Sequence, residues 1–139
     1  MKRGFNIIEM TVTLTIVAIL SAIVLPRAAA FIDAIKVRGA VTEIDALFST
    51  ARHIAIARAA QSSLEIDPAR GVILVRIEGD TVQKRNLEES EGVTLRATRT
   101  VITYSPTGIG YGAGNLTLIV ARKLSADTIY VSRLGRVRH

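Results

Sequence analysis

The chain has 139 residues, of which 49% are hydrophobic and 22% charged, and it contains no cysteine. This length leaves room for one modest core outside a membrane segment, and the lack of cysteine excludes a disulfide framework and thiol chemistry. The formal net charge of +6 excludes an acidic protein and favours polyanions or anionic lipid as partners.

The N-terminal stretch predicts a single membrane-spanning helix. From Met10 to Leu25 there is no charged residue, and the polar side chains are only Thr11, Thr13, Thr15 and Ser21. A run of this length is about what a helix needs to cross the hydrocarbon core. Hydroxyl groups are tolerated there because they bond back to carbonyls one turn earlier. Lys2 and Arg3 precede the run, which predicts a cytoplasmic N-terminus and a C-terminal domain on the outward, periplasmic side of the inner membrane.

Glu9 is the exception in this apolar stretch. A carboxylate inside a membrane segment costs about 2.5–3.5 kcal/mol on insertion scales, so it usually has a partner or a function. The pattern is Gly4-Phe5, then Glu9 at the fifth position counted from Phe5, then an apolar helix with Pro26. This pattern resembles the type IV prepilin signature.

The resemblance implies that a prepilin peptidase cuts between Gly4 and Phe5 and that Phe5 is then methylated. It also implies that Glu9 pairs with the N-terminal amine of a neighbouring subunit in a filament. Such a pair is physically reasonable, since each buried charge relieves the desolvation penalty of the other. The plainer interpretation is a signal-anchor helix with one chance acidic residue near the membrane interface.

After Pro26 the helical pattern resumes with a different character. Proline removes an amide donor and usually kinks or ends a helix, and Gly39 predicts a local irregularity. Charged residues fill the faces between apolar residues that recur at helical spacing: Phe31, Ile35, Val41, Ile44, Phe48, Ala51, Ile54 and Ala55. The sequence therefore predicts one long helix whose second half, residues 27–61, offers an apolar stripe to a sheet.

From Ser62 onward the period changes to that of strands separated by turns. The predicted strands are Ser62–Ile66, Gly71–Glu78, Thr81–Arg85, Val93–Ala97, Val101–Tyr104, Asn115–Ala121, Thr128–Ser132 and a terminal strand at Val137. The acidic segment Asn86–Gly92 is predicted to be a solvated loop. The fold class is therefore α+β, a long N-terminal helix packed on a small antiparallel sheet. Its parts are a leader at 1–4, a transmembrane and assembly helix at 5–26, the amphipathic half at 27–61 and a β domain at 62–139.

Motifs in the later part of the chain resemble the GspH/FimT branch of pilin-like proteins. They are Ser49-Thr50-Ala51-Arg52-x-x-Ala55, Ile102-Thr103-Tyr104-Ser105-Pro106-Thr107-Gly108, Gly114-Asn115-Leu116-Thr117-Leu118 and Gly135-Arg136-Val137-Arg138. The resemblance implies a minor subunit, either a type II secretion pseudopilin or a minor pilin of a type IV pilus, with other such subunits as partners. Some pilus members bind DNA through a Gly-Arg-x-Arg tail.

The C-terminal segment, from Arg122 to His139, is a candidate nucleic-acid site. It contains one acid, Asp127, and five basic residues: Arg122, Lys123, Arg133, Arg136 and Arg138. Arg136 and Arg138 alternate along a possible strand, so both point to one face and each could contact a phosphate. Tyr130 could stack on an unpaired base. The competing interpretation is a solvated edge strand whose charge prevents further pairing, and anionic lipid or an acidic partner subunit would suit the same residues.

No enzyme, cofactor or metal site is predicted. The glycine-rich run from Gly108 to Gly114 precedes a strand and lacks the Lys-Ser/Thr of a phosphate loop. His53 and His139 have neither cysteine nor an acidic pair nearby in sequence. An alternative function remains, an unprocessed single-span accessory subunit of another membrane protein complex. In that case Phe5 has no free amine, and Glu9 must find another cation or be protonated.

Overall fold

The computed structural model of the protein describes residues 6–111 and 115–138. Its first element is the helix α1, Ile7–Ala57. The backbone divides into two compact units, with the boundary between Ile32 and Asp33. The first unit contains the N-terminal part of α1, and the second contains the rest of α1 with all the strands.

The α1 segment of the first unit is apolar, and no other part of the described chain covers it. Apart from Ser21, every described side chain up to Ile32 is exposed. The Thr11, Thr13 and Thr15 hydroxyls donate to carbonyls three or four residues earlier, at 2.7–2.9 Å, as the sequence predicts. In the part of the chain that the structure describes, α1 is the one helix long and apolar enough to cross a membrane.

The helix is one continuous element, as predicted, and both Pro26 and Gly39 lie inside α1. It ends at Ala57, before the predicted Gln61, because Ala59 adopts a left-handed backbone with φ of 47°. The Ala60 amide then donates to the Ala55 carbonyl at 3.1 Å, which closes the last turn.

The second part of α1 buries a stripe of residues that recur every three or four positions. The stripe consists of Asp33, Val37, Ala40, Val41, Ile44, Leu47, Phe48, Ala51 and Ala55. The predicted members Phe31 and Ile35 are 67% and 51% exposed. The prediction for these two residues is therefore wrong. They lie on another face of the helix, whereas Asp33 and Val37 lie on the buried face.

The strands form two antiparallel sheets rather than the predicted single one. The first sheet has the order β3-β2-β1-β5-β6 and the second the order β4-β7-β8-β9. The strands are β1 Ser62–Asp67, β2 Val72–Ile77, β3 Asp80–Asn86, β4 Thr94–Ala97, β5 Val101–Tyr104, β6 Gly110–Tyr111, β7 Leu116–Arg122, β8 Ser125–Val131 and β9 Val137–Arg138. Each predicted strand is present, β5 with the predicted bounds and the others with slightly different ones, and β6 is an addition.

The acidic segment before β4 is not the predicted loop. It contains a short helix, α2, Leu87–Glu91. Asn86 caps its N-terminus by accepting the Glu89 amide at 3.2 Å, and Gly92 ends it with a left-handed φ of 64°. Leu87 is fully buried. The caps and this one apolar anchor are sufficient to order the turn.

One core joins α1 and the two sheets within the second unit. The apolar residues of the α1 stripe are in the same buried cluster as Leu64, Ile73 and Val75 of the first sheet. Leu118 and Ile129 of the second sheet belong to the same cluster. Along β1 and β7, buried residues alternate with more exposed ones, as expected when one face of a sheet is covered by the core.

Candidate functional site

The residues predicted to take part in processing and assembly lie at the start of the chain. Gly4 and Phe5 fall outside the described residues. Glu9 is in the first turn of α1 and is exposed, and none of the ion pairs among residues 6–111 and 115–138 includes it. Pro26 is an exposed residue within α1. The carboxylate of Glu9 is therefore on the surface of a bare apolar helix.

The five predicted nucleic-acid residues lie in two separate places. Arg122 and Lys123 are at the hairpin that joins β7 to β8, whereas Arg133, Arg136 and Arg138 follow the other end of β8. The strand β8 runs from Ser125 to Val131, and at about 3.3 Å per residue the two groups are roughly 20 Å apart. They are therefore not one continuous patch.

Arg122 is already engaged within the protein. Its Nε donates to Oδ1 of Asp33 at 2.8 Å, and its Nη1 donates to the Glu91 carbonyl. The side chains of Arg122 and Asp33 are only 24% and 7% exposed. Beside this pair, Lys36 bonds Glu91 at 2.9 Å. This network joins α1, α2 and β7, so Arg122 can meet a phosphate only by leaving a buried carboxylate.

The C-terminal basic residues are held by a tight turn. The Gly135 amide donates to the Ser132 carbonyl, and the Ser132 amide donates to the Arg136 carbonyl, both at 2.8 Å. Gly135 has a φ of 77°, and a Cβ built on it would lie 2.4 Å from Cε1 of Tyr104. A glycine is therefore needed at this position both for the backbone conformation and for space.

Tyr104 supports this turn from the core. Its hydroxyl donates to the Gly135 carbonyl at 3.3 Å. Burial raises the pKa of the phenol from 10.0 to about 12, and the positive charge of Arg52 only partly offsets this effect. The phenol therefore stays protonated and keeps donating at any physiological pH.

A cleft of about 670 Å³ lies between the second part of α1 and this C-terminal segment. Its helix wall carries Arg52 and His53, and its other wall is the backbone and side chains of Gly135–Arg138. The residues that line the cleft include three arginines, Arg52, Arg136 and Arg138, and one acid, Asp45. The Ser49 hydroxyl lies 3.3 Å from Nδ1 of His53. The cleft has the charge and the hydrogen-bond donors that a phosphate group needs.

The outer face of the second sheet continues from this cleft. Tyr130 is paired across the strands with Arg138 on one side and Thr117 on the other. Tyr130 is 55% exposed. The next row contains Arg96, Ile119 and Thr128. Among the outward-facing residues of these four strands as described, none is acidic, so the face combines an exposed aromatic ring with two arginines.

The structure adds Arg52 to the candidate site. Arg52 belongs to the Ser49–Ala55 motif, but that motif alone predicts no role for it. The sequence places Arg52 on a helix and the basic tail on a strand. Only the packing of α1 on the second sheet brings Arg52 and the C-terminal residues Gly135–Arg138 to one cleft.

Comparisons with known proteins identify the fold. Two crystal forms of the type IV minor pilin FimU of Pseudomonas aeruginosa PAO1 resemble this chain, with TM-scores of 0.63 and 0.58. Their sequence identities are 15% and 14%, and the matches cover 78% and 73% of this chain and 90% of each FimU chain. No protein-family model and no curated protein matches the sequence. The chain thus has a pilin-like fold, as the sequence predicts.

Proposed function

We propose that this chain is a minor pilin or pseudopilin, a structural subunit that assembles with other such subunits into a filament. The observation that carries the proposal is a bare apolar helix with a single carboxylate, continuous in sequence with a domain of pilin-like fold. The helix anchors the subunit in the inner membrane by one span, with the N-terminus cytoplasmic and the domain outward. The Gly-Arg-Val-Arg tail favours a pilus over a secretion system.

Processing precedes assembly in this proposal. The prepilin peptidase cuts between Gly4 and Phe5, and the new amine of Phe5 is methylated. In the filament the Phe5 amine of one subunit pairs with Glu9 of its neighbour. The support is that Glu9 is exposed on α1 while the surrounding side chains are apolar, so a cation from another subunit can reach it. Neutralising a carboxylate in an apolar helix bundle removes a penalty of several kcal/mol.

The test is the intact mass and N-terminal sequence of the protein purified from its native membrane, compared with protein from cells that lack the peptidase. A chain that begins at methylated Phe5 only when the peptidase is present supports the proposal. A chain that still begins at Met1 or Lys2 in both strains contradicts it. That result favours the second candidate, an unprocessed accessory subunit of another membrane complex.

We also propose that the C-terminal segment binds DNA. Arg136 and Arg52 supply phosphate contacts at the cleft, and Arg138 adds a third on the adjoining outer face of the second sheet. Tyr130 is next to Arg138 on the outer sheet face, where it can stack on an unpaired base. Arg133 is exposed just before the turn. Contacts of this kind do not depend on the DNA sequence, and they weaken as the salt concentration rises.

The corresponding experiment measures DNA binding by the C-terminal domain at several salt concentrations. Arg136→Ala combined with Arg138→Ala is expected to weaken binding and to lower the slope of log affinity against log salt by about 1 per lost phosphate contact. Arg70→Ala combined with Lys84→Ala is the matched control, because it removes the same charge from exposed sites elsewhere. Equal losses of DNA affinity in the two double variants would indicate only a general effect of net charge and would contradict a binding site at the C-terminal segment.

A further inference from the structure

The tip of the β7–β8 hairpin, Lys123–Leu124, has an unusual combination of features. Leu124 is 92% exposed, more than any other large apolar side chain of the described residues. Lys123 has a φ of 47°, a region that costs backbone strain in any residue with a side chain. A turn that served only to reverse the chain would favour glycine or asparagine there. The tip instead presents a cation next to a bare leucine.

The tip lies at the end of the second unit where that unit's part of α1 begins. Arg122, just before the tip, contacts Asp33, the first residue of the unit. Just after the tip, Ser125–Asp127 share a small hollow with Ala34, Val37 and Arg38. The opposite end of the unit is marked by the β2–β3 turn, where Glu78 and Gly79 share a hollow with residues 61–63.

The chain length limits how far this end can be from a membrane. Asp33 follows Leu25, the last residue of the apolar run, by 33 − 25 = 8 residues. All eight are helical, and at 1.5 Å per residue they span about 12 Å. The headgroup layer is itself roughly 5–7 Å thick on each side of the hydrocarbon. The length of chain alone therefore keeps Asp33 within about 12 Å of the end of the apolar run, which is close to the headgroup layer.

We propose that the Lys123–Leu124 tip docks on the outer leaflet of the bilayer that α1 spans. Leu124 enters the interface between headgroups and acyl chains, and Lys123 meets anionic headgroups, which attract basic side chains near a membrane surface. The docking rests on the membrane span of the proposed function and is independent of processing and DNA binding. It gives the domain a second membrane contact before the subunit joins an assembly.

The sequence has no tryptophan, so one substitution creates a unique fluorescent reporter in the full chain. Leu124→Trp is placed in nanodiscs of phosphatidylcholine with phosphatidylglycerol, with and without bromine on the acyl chains. Val82→Trp on β3 is the matched control, since Val82 is also an exposed hairpin residue and belongs to the opposite end of the unit. Ile16→Trp reports on the membrane span itself.

Docking predicts a blue-shifted emission for Leu124→Trp that bromine near the headgroups quenches more than bromine deep in the acyl chains. Adding Lys123→Glu should reverse both effects, and Val82→Trp should show neither. A quenched Ile16→Trp with an unquenched Leu124→Trp overturns the docking and leaves the span intact. If neither is quenched, the span fails as well. A blue shift without quenching that grows with protein density means contact with a neighbouring subunit and also overturns the proposal.

Discussion

Substitution of Arg122 tests whether the pair with Asp33 is structural. In Arg122→Ala the Asp33 carboxylate, 7% exposed, loses its counter-charge and cannot turn to water. Removing one partner of a buried pair costs about 3–5 kcal/mol. Because Arg122 is 24% exposed, we expect the lower end, about 3 kcal/mol. This is a large share of the roughly 5–15 kcal/mol by which a domain is stable.

The assay is urea unfolding of a fragment that begins at Arg27. A loss of about 3 kcal/mol lowers the urea midpoint by roughly 1–3 M. Asp33→Ala should cost less, because the freed arginine can reach solvent, and the double variant should be no worse than Arg122→Ala alone. Arg70→Ala is the control, since its pair with Asp67 is long, at 3.9 Å, and its side chain is 83% exposed. If Arg122→Ala and Arg70→Ala unfold at the same midpoint, the reasoning is wrong.

Three further predictions concern the core, the C-terminal turn and the membrane helix. The pKa of Tyr104 is raised from 10.0 to about 12, so the unfolded chain loses this proton first. Stability should be complete below pH 10 and fall by about 3 kcal/mol as the pH rises towards 12, and urea titrations of Tyr104→Phe should lack that fall. Gly135→Ala should lower the urea midpoint more than Gly79→Ala, which has a φ of 95° but no atom within 4 Å of the new Cβ; equal effects would mean that the contact with Tyr104 is unimportant. Glu9→Ala should insert into the membrane but assemble poorly in co-purification with other subunits, unlike Thr11→Ala, and normal incorporation would remove the assembly role of Glu9.

The element types were predictable because their periods are visible in the sequence. The break between helix and strand near Ser62 follows from a change from period 3.6 to period 2. The helix α2 was missed because its stability depends on a cap, Asn86 to Glu89, and on burial of Leu87 rather than on periodicity. The two-sheet arrangement was missed because a strand pattern gives no partner, and β4 pairs with β7 across two intervening strands.

The same limit applies to the candidate site. The basic composition of the tail is evident in the sequence, and so is the alternation of Arg136 with Arg138. The partial burial of Arg122 beside the exposed Lys123 is not evident, because it depends on Asp33, a partner 89 residues away. Arg52 became part of the site only through packing, since nothing in a helical motif specifies which strand will lie across from it.

The contact between Asp33 and Arg122 also sets the order in which the domain can form. The two residues are 89 positions apart, so the start of the domain obtains its partner only when β7 has been made. Long-range closure of this kind slows folding relative to local contacts. The strands β1 and β2 are made early and can cover part of the apolar stripe of α1, but the rest of the stripe stays uncovered until the second sheet, which contains β7, has been made. We expect such a subunit to depend on a holdase during export more than a helical protein of equal length does.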